Sequence, residues 1–262
     1  MISLVKISNR RGAIIYPCGT PHRITLVFEF TLFIYIHGSR CARKEARIVQ
    51  MDFSAALDKV NHHFILYKLC SVGDGGSVLS VLTQFLSNRS QYVVMDGCRS
   101  CGWLSGMPQG SVLGPQLFLL YTAELFSIVE NKIYSYAYDS TLVAVVPSPC
   151  ERVAVSESMN RDLNRVSVWC DLWGMKLNAT KTRTTIVSRS STVHPQLTTL
   201  TLDGIVLKES ADLVILRVTF KAKMTVEKHI RSVSSAAARR LGIMRKSWEV
   251  FPDRLLLLRF FL

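Results

Sequence analysis

Arg47-Ile48-Val49-Gln50-Met51-Asp52-Phe53 is the stretch that decides how this chain folds. It is apolar enough to form a central β-strand, and it carries a carboxylate, Asp52, at its end. We predict that a helix follows from Ser54, because apolar residues then recur at helical spacing. Since Asp52 is also a good helix N-cap, the segment alone leaves both a structural and a chemical role open.

The remaining elements follow from apolar periodicity. Helical spacing predicts four more helices, at 77–87, 115–129, 159–173 and 224–246. Strand patterns lie at 91–95, 184–188 and 213–220, with hairpins at 133–146 and 200–207. The apolar run 24–36 contains Glu29 and is shorter than the ~20 residues of a bilayer span, so we predict one or two buried strands there. This irregular alternation predicts an α+β fold, with an antiparallel sheet and helices on one face.

Composition indicates a globular, basic protein. The 262 residues are 48% hydrophobic, which is enough for one sizeable core or for one domain and part of another. Lys and Arg number 32 against 19 Asp and Glu, and the formal charge of +13 at pH 7 favours polyanions such as nucleic acid. Many other basic proteins share this balance, so charge alone does not decide the partner.

Cysteine usage indicates a reducing compartment. Seven Cys is an odd number, and no evident secretory signal argues for a disulfide framework. Cys98 and Cys101 form a close pair, but no second pair stands at zinc spacing, so we predict unligated thiols. The expected location is intracellular, in the nucleus or the cytoplasm, with no transmembrane span.

Two further segments carry candidate chemistry. Ser105-Gly106-Met107-Pro108-Gln109-Gly110-Ser111-Val112-Leu113-Gly114-Pro115 is a Gly/Pro-rich loop that enters a helix. Tyr136-Ala137-Tyr138-Asp139 forms the polar tip of the hairpin predicted at 133–146. Read singly, the first is an ordinary turn chosen for its backbone angles, and the second is a polar hairpin end.

Taken in this order, the segments resemble the motifs of non-LTR (LINE/jockey-like) retrotransposon reverse transcriptases. The segment 52–58 resembles motif A (Asp-Phe-Ser-Ala-Ala-Phe-Asp), and 105–115 resembles motif B (Ser-Gly-Val-Pro-Gln-Gly-Ser-Val-Leu-Gly-Pro). The hairpin tip is similar to motif C (Tyr-Ala-Asp-Asp), and Gly174-Met175-Lys176-Leu177-Asn178-Ala179-Thr180-Lys181-Thr182 is similar to motif D. The resemblance covers about residue 46 to the C-terminus.

The resemblance implies a domain organisation. A polymerase palm spans 46–222, and a truncated, basic, helical segment at 223–262 begins a thumb. Residues 1–45 form an atypical segment in which the fingers are partial, lost or replaced. The implied partners are an RNA template, a DNA primer and dNTPs, and no membrane.

The resemblance also implies site residues. Two Mg²⁺ ions held by carboxylates serve phosphoryl transfer, which makes Asp52 and Asp139 metal ligands and catalytic residues. Lys181 matches a motif D lysine that neutralises or protonates pyrophosphate, although a solvated lysine fits equally well. The implied nucleotide and template contacts are Phe53, Leu57, Gln109, Gly110 and Tyr136, with a core role as the alternative for Leu57. The implied contacts to the nucleic-acid backbone are Lys228, Arg231, Arg239 and Arg240. A solvated helix face is the alternative interpretation of these four residues.

One residue departs from the family pattern. Tyr138 stands where the first Asp of motif C is expected, and neighbouring strand residues point to opposite faces, so we predict that Asp139 cannot substitute for it. The expected function is that of a reverse transcriptase domain, truncated, degenerate and catalytically impaired. A non-catalytic nucleic-acid-binding remnant and an inert, poorly folding relic remain as alternatives.

Overall fold

The fold is described from a computed structural model that covers most of the chain. The backbone is described for residues 21–42, 44–71, 76–87, 94–96, 98–100, 106–107, 111–136, 139–188, 199–215 and 218–250, and side chains are described for these except 21–30, 136 and 247–250. The chain divides into two compact units, Met1–Ser210 and Ala211–Leu262.

In chain order, the helices of the described residues are α1 (Pro21–Cys41), α2 (His62–Ser71), α3 (Ser77–Leu86), α4 (Gly114–Thr122), α5 (Leu125–Ile128), α6 (Arg152–Leu172) and α7 (Glu227–Val250). The strands are β1 (Glu45–Asp52), β2 (Val94–Met95), β3 (Cys98–Arg99), β4 (Lys132–Tyr136), β5 (Asp139–Val146), β6 (Arg183–Val187), β7 (Thr201–Leu202), β8 (Ile205–Val206), β9 (Lys208–Glu209), β10 (Asp212–Ile215) and β11 (Val218–Lys221).

A five-stranded sheet with β1 at its centre organises the first unit. The strand order is β4-β5-β1-β6-β9, and all pairs are antiparallel except β6 with β9. Val49 and Met51 join the main core with helix residues such as Leu163 of α6, whereas Ala46 and Ile48 are buried on the other face. The predicted central strand and α+β class are therefore confirmed.

The first helix replaces predicted strands. Leu32 and Ile36 are 1% and 0% exposed while Ile34 between them is 50% exposed, which is the helical period rather than the strand period. The β-branched composition of 24–36 favoured strands, but packing on the sheet decides for a helix. The ring centroids of Tyr35 on α1 and Tyr134 on β4 lie 6.0 Å apart. Tyr134 lies on the face of Ala46 and Ile48, so α1 covers part of the face opposite α6.

The helix after β1 begins later than the sequence predicts. Residues 54–59 form turns, and α2 starts at His62, where the Asn61 side-chain oxygen accepts from the His63 backbone N–H at 2.9 Å. The Leu57 and Val60 carbonyls accept from Met107 and Gly106 at 2.8 and 3.0 Å, so they do not bond within a helix. Because residues 106 and 107 occupy these carbonyls, α2 begins only at His62.

Other boundaries differ in smaller ways. The helix predicted at 115–129 is divided into α4 and α5, and the strand predicted at 213–220 is the hairpin of β10 and β11. The predicted helices at 77–87 and 159–173 and the hairpins at 133–146 and 200–207 are confirmed. Within the second unit, α7 packs against β11 and is largely exposed. No helix among the described residues is long and apolar enough to cross a membrane.

Candidate active site

Two carboxylates meet at one end of the sheet. Asp52, the last residue of β1, pairs directly with Asp139, the first residue of β5. Directly opposed residues of antiparallel strands project to the same face, so both carboxylates lie on the face opposite α6. Partial desolvation raises the pKa of Asp139, although its side chain is exposed, and the charge of the neighbouring Asp52 raises that pKa further. The arrangement is a like-charge pair that favours a bound cation or proton.

This register places Asp139 beside Asp52, whereas the statement that Asp139 cannot substitute for position 138 stays a prediction. Tyr136, the last residue of β4, pairs with Asp139, the first residue of β5. Leu142 stays in the main core, and Asp139 reaches the face of Asp52 without a register slip. Tyr138 itself lies outside the described residues.

The motif D segment is fastened to the backbone of the Asp52 strand. The Asn178 and Ser54 N–H groups donate to the carbonyls of Asp52 and Lys176, each at 2.8 Å. The Asp52 N–H donates to the hydroxyl of buried Thr182 at 3.2 Å. These bonds fix the end of β1, and the intervening loop presents Lys181 exposed beside it.

The start of the motif B loop is held against the motif A turn. His62 donates from Nε2 to the Gly106 carbonyl at 2.7 Å. Gly106 has a φ of +97°, and a Cβ built on it would lie 2.8 Å from the Asp58 Cα. This position needs glycine for both its backbone angle and its close contact.

Gly106→Ala is expected to lower the free energy of unfolding by about 2–4 kcal/mol, because it combines a left-handed angle with a clash against backbone. Gly174→Ala is the matched control. Its φ is +68° and nothing lies within 4 Å of a built Cβ, so it adds only the angle. Urea denaturation of both variants measures the difference, and equal losses would rule out the clash.

A buried lysine links α2 to two connecting segments behind the site. Lys68 of α2 is 4% exposed, and its Nζ lies 3.7 Å from the Trp173 ring centroid and 3.2 Å from Glu124 Oε2. Burial lowers the pKa of Lys68, and Glu124 opposes that shift. Trp173 follows α6 and precedes the motif D segment, so this contact ties α2 to the entry of that segment.

The other predicted site residues are placed less uniformly. Phe53 is buried in the main core. Leu57 is partly buried and packs against this core, which is consistent with the alternative of a core role for Leu57. Gln109 and Gly110 lie outside the described residues, and Tyr136 is described only in its backbone. In the second unit, Lys228 forms an ion pair with Asp212. The remaining predicted phosphate contacts are exposed on α7: Arg231, Arg239 and Arg240.

Several site residues were not predicted. His62 and Lys68 gave no signal, because their partners are distant in sequence. Thr182 lay inside the quoted motif D segment, yet only the register reveals its bond to Asp52. Among the described residues, no three His, Cys, Asp or Glu side chains lie close enough together to hold a metal ion.

The raised pKa of Asp139 gives a pH-dependent prediction. Below its unfolded value, near 3.8, the group is protonated in both states and carries no penalty. As pH rises through the higher folded value, the native state gains an unfavourable charge and stability falls. Asp139→Asn should therefore melt above the wild type at about pH 7, with the difference shrinking toward about pH 3.5.

Thermal melts at several pH values measure this dependence. Glu157→Gln, which removes an exposed carboxylate on α6, is the control and should not reproduce it. An Asp139→Asn melting temperature equal to or below that of the wild type at neutral pH would contradict the prediction.

A sheet that brings carboxylates from adjacent strand ends to one face, with helices behind it, defines the class of polymerase palms. The telomerase of Candida tropicalis, solved in its apo form without its C-terminal domain, matches this fold with a TM-score of 0.51, covering 79% of this chain and 39% of that chain at 11% identity. At this identity the likeness concerns the fold alone.

Sequence comparison gives the family. Residues 19–231 match the model of the reverse transcriptase (RNA-dependent DNA polymerase) family, so the chain belongs to that family. The RNA-directed DNA polymerases from mobile element jockey of Drosophila funebris and Drosophila melanogaster are 26% and 27% identical over 88% and 89% of this chain. The chain spans 25% of each relative's length. The resemblance to non-LTR retrotransposon reverse transcriptases is thereby confirmed, and the family match includes α1.

Proposed function

We propose that this chain serves as the palm of an RNA-directed DNA polymerase, a nucleotidyltransferase that extends a DNA primer with dNTPs on an RNA template. The observation that carries the proposal is the direct cross-strand pairing of Asp52 with Asp139 on one sheet face. Phosphoryl transfer depends mainly on positioning and on neutralising charge. Carboxylates held at strand ends supply both by holding cations.

The donor set fits a divalent cation. Reverse transcriptases as a family use divalent metal ions, and we propose Mg²⁺ here, with Asp52 and Asp139 as its protein ligands. Oxygen donors suit Mg²⁺, which keeps several waters and needs few protein ligands. The raised pKa of Asp139 supports this fit, because a cation would relieve the repulsion between the two carboxylates. When bound, the metal lowers the pKa of an attacking hydroxyl and neutralises the leaving pyrophosphate.

The same site carries a defect. Position 138, where the family places a further carboxylate, holds a neutral phenol that is a poor ligand for Mg²⁺. Asp52 and Asp139 together supply two carboxylates where the family uses three. We therefore propose that the wild-type chain has little or no polymerase activity. The register of Asp139 retains half of the motif C pair but does not replace the missing charge.

Lys181 and the basic helix α7 have supporting roles in the proposal. Lys181 is exposed on the segment bonded to Asp52, where it can offer a proton or a positive charge to departing pyrophosphate. Arg231, Arg239 and Arg240 are exposed cations suited to a phosphate backbone.

Template-directed primer extension tests the proposal. Purified wild type and Tyr138→Asp are supplied with an RNA template, a DNA primer, Mg²⁺ and dNTPs. Extension by Tyr138→Asp that disappears in Tyr138→Asp/Asp52→Asn supports the site. The proposal would be contradicted if neither the wild type nor Tyr138→Asp extends the primer, although both proteins melt cooperatively and bind the duplex.

A second candidate is nucleic-acid binding without chemistry, which the exposed cations of α7 favour. Salt-dependent binding of an RNA·DNA duplex, lost after Arg239→Glu/Arg240→Glu, is its expected signature. If Tyr138→Asp also fails to polymerise, this candidate replaces the first.

A further inference from the structure

Two cations stand in one row of the sheet beside the carboxylate pair. Gln50 of β1 pairs with Arg183 of β6, and Arg183 pairs with Lys208 of β9. Gln50 and Asp52 alternate onto the same face of β1, so paired residues on the neighbouring strands lie on that face as well. Register therefore places Arg183 and Lys208 on the face of Asp52 and Asp139.

This part of the face is open. Arg183 and Lys208 are both exposed, whereas Thr185, two residues further along β6, is 0% exposed. Helix α1 packs against the central strand β1 and against β4, which is the edge strand opposite β9. Within the part of the chain that the structure describes, the end of the face that carries the carboxylates is thus accessible from the edge formed by β6 and β9.

The two cations are uncompensated within the part of the chain that the structure describes. Neither Arg183 nor Lys208 forms an ion pair with a described residue. Glu209 follows Lys208, but strand alternation places it on the opposite face, where it acts on buried Arg47. Like charges directly opposed on neighbouring strands are destabilising, and a bridging anion relieves the repulsion.

Distance selects the kind of anion. Neighbouring strands are ~4.8 Å apart and two residues span ~6.6 Å, so Arg183 lies about 8 Å from Asp52 between Cα atoms. Because the rise per nucleotide along a helix axis is ~3.4 Å and the backbone path between phosphates is longer, that separation corresponds to one or two nucleotides. A triphosphate would be held by cations at Asp52 and Asp139. Phosphates further along a strand would meet Arg183 and Lys208 on this face.

We infer that Arg183 and Lys208 form a contact for the sugar–phosphate backbone of the template–primer duplex, one or two nucleotides from the reacting end. The inference rests on the proposed function. Arg183 presents a planar fork that matches two phosphate oxygens, and Lys208 adds a point charge beside it. The contact is independent of Tyr138, so it operates in the wild-type chain.

Duplex binding as a function of salt tests the inference. Fluorescence anisotropy with a labelled RNA·DNA duplex measures the slope of log Kd against log salt for the full chain. Arg183→Gln and Lys208→Gln should each reduce the slope by about 1, and the double variant by about 2. Lys44→Gln is the matched control, because it removes an exposed cation at the far end of β1 and should change the slope much less.

Each remaining outcome is decisive. A double variant whose slope equals that of Lys44→Gln overturns the inference while leaving the proposed function standing. The inference is also overturned if the double variant binds dNTP with Ca²⁺ more weakly but binds the duplex as the wild type does. That result would assign Arg183 and Lys208 to the nucleotide. Failure of the wild type to bind the duplex at low salt counts against the proposed function itself. Cooperative thermal melts of every variant establish that the comparison concerns folded protein.

Discussion

Tyr138→Asp is expected to raise RNA-templated primer extension by at least about 10³-fold, which corresponds to about 4 kcal/mol of transition-state stabilisation. The wild type should give no measurable product. The reason is charge: Asp52 and Asp139 supply two carboxylates on one face, and the substitution returns the third. Single-turnover extension of a labelled primer over a range of Mg²⁺ concentrations measures both the rate and the apparent metal affinity.

Matched variants separate the causes of the gain. Tyr138→Asn removes the ring without adding charge, so it tests whether space alone limits the wild type. We expect it to stay inactive. Adding Asp52→Asn to Tyr138→Asp should abolish the gain, since in the proposed site the carboxylates at positions 52 and 138 act on the same cations. Ordinary extension by the wild type would contradict the assignment of Tyr138 as the defect.

Asp162→Ala is expected to lower the free energy of unfolding by about 3–5 kcal/mol, the usual cost of removing one partner from a buried charged network. Asp162 of α6 is 0% exposed. It accepts from the backbone N–H groups of Glu130 and Asn131 at 2.8 and 2.9 Å, and from Arg165 at 3.1 Å. Alanine would leave these donors without their acceptor at the entry to β4.

Urea denaturation of Asp162→Ala against Asp171→Ala measures this cost. Asp171 lies on the same helix but is exposed, so its loss should change stability by less than about 0.5 kcal/mol. Asp162→Asn keeps the shape and one acceptor, and an intermediate loss is expected. Equal stability of Asp162→Ala and Asp171→Ala would show that the donors find other partners.

Local sequence patterns predicted the elements that apolar runs and turn residues specify by themselves. The strand ending at Asp52 and the hairpin closed between Tyr136 and Asp139 follow from apolar runs and turn residues. The run 24–36 was misassigned, because β-branched residues favour strands until packing on a sheet imposes a helical period on Leu32 and Ile36.

The candidate site was predictable in its residues but not in its geometry. Motif spacing identified Asp52, Asp139 and Lys181, while the pairing of Asp52 with Asp139 required the register of strands that are distant in sequence. For the same reason Arg183 carried no signal: its place on this face depends on its pairing with Gln50. Gln109 and Gly110 lie outside the described residues, so their contacts to nucleotide and template stay predictions.

The separation of the main core from the carboxylate pair has an evolutionary consequence. Residues such as Val49 and Leu142 hold the strands in register through the core, which does not include Asp52 or Asp139. Selection for a foldable chain therefore acts on different residues from selection for catalysis. Because Tyr and Asp codons differ by one nucleotide, the proposed defect at position 138 lies one mutation from a carboxylate.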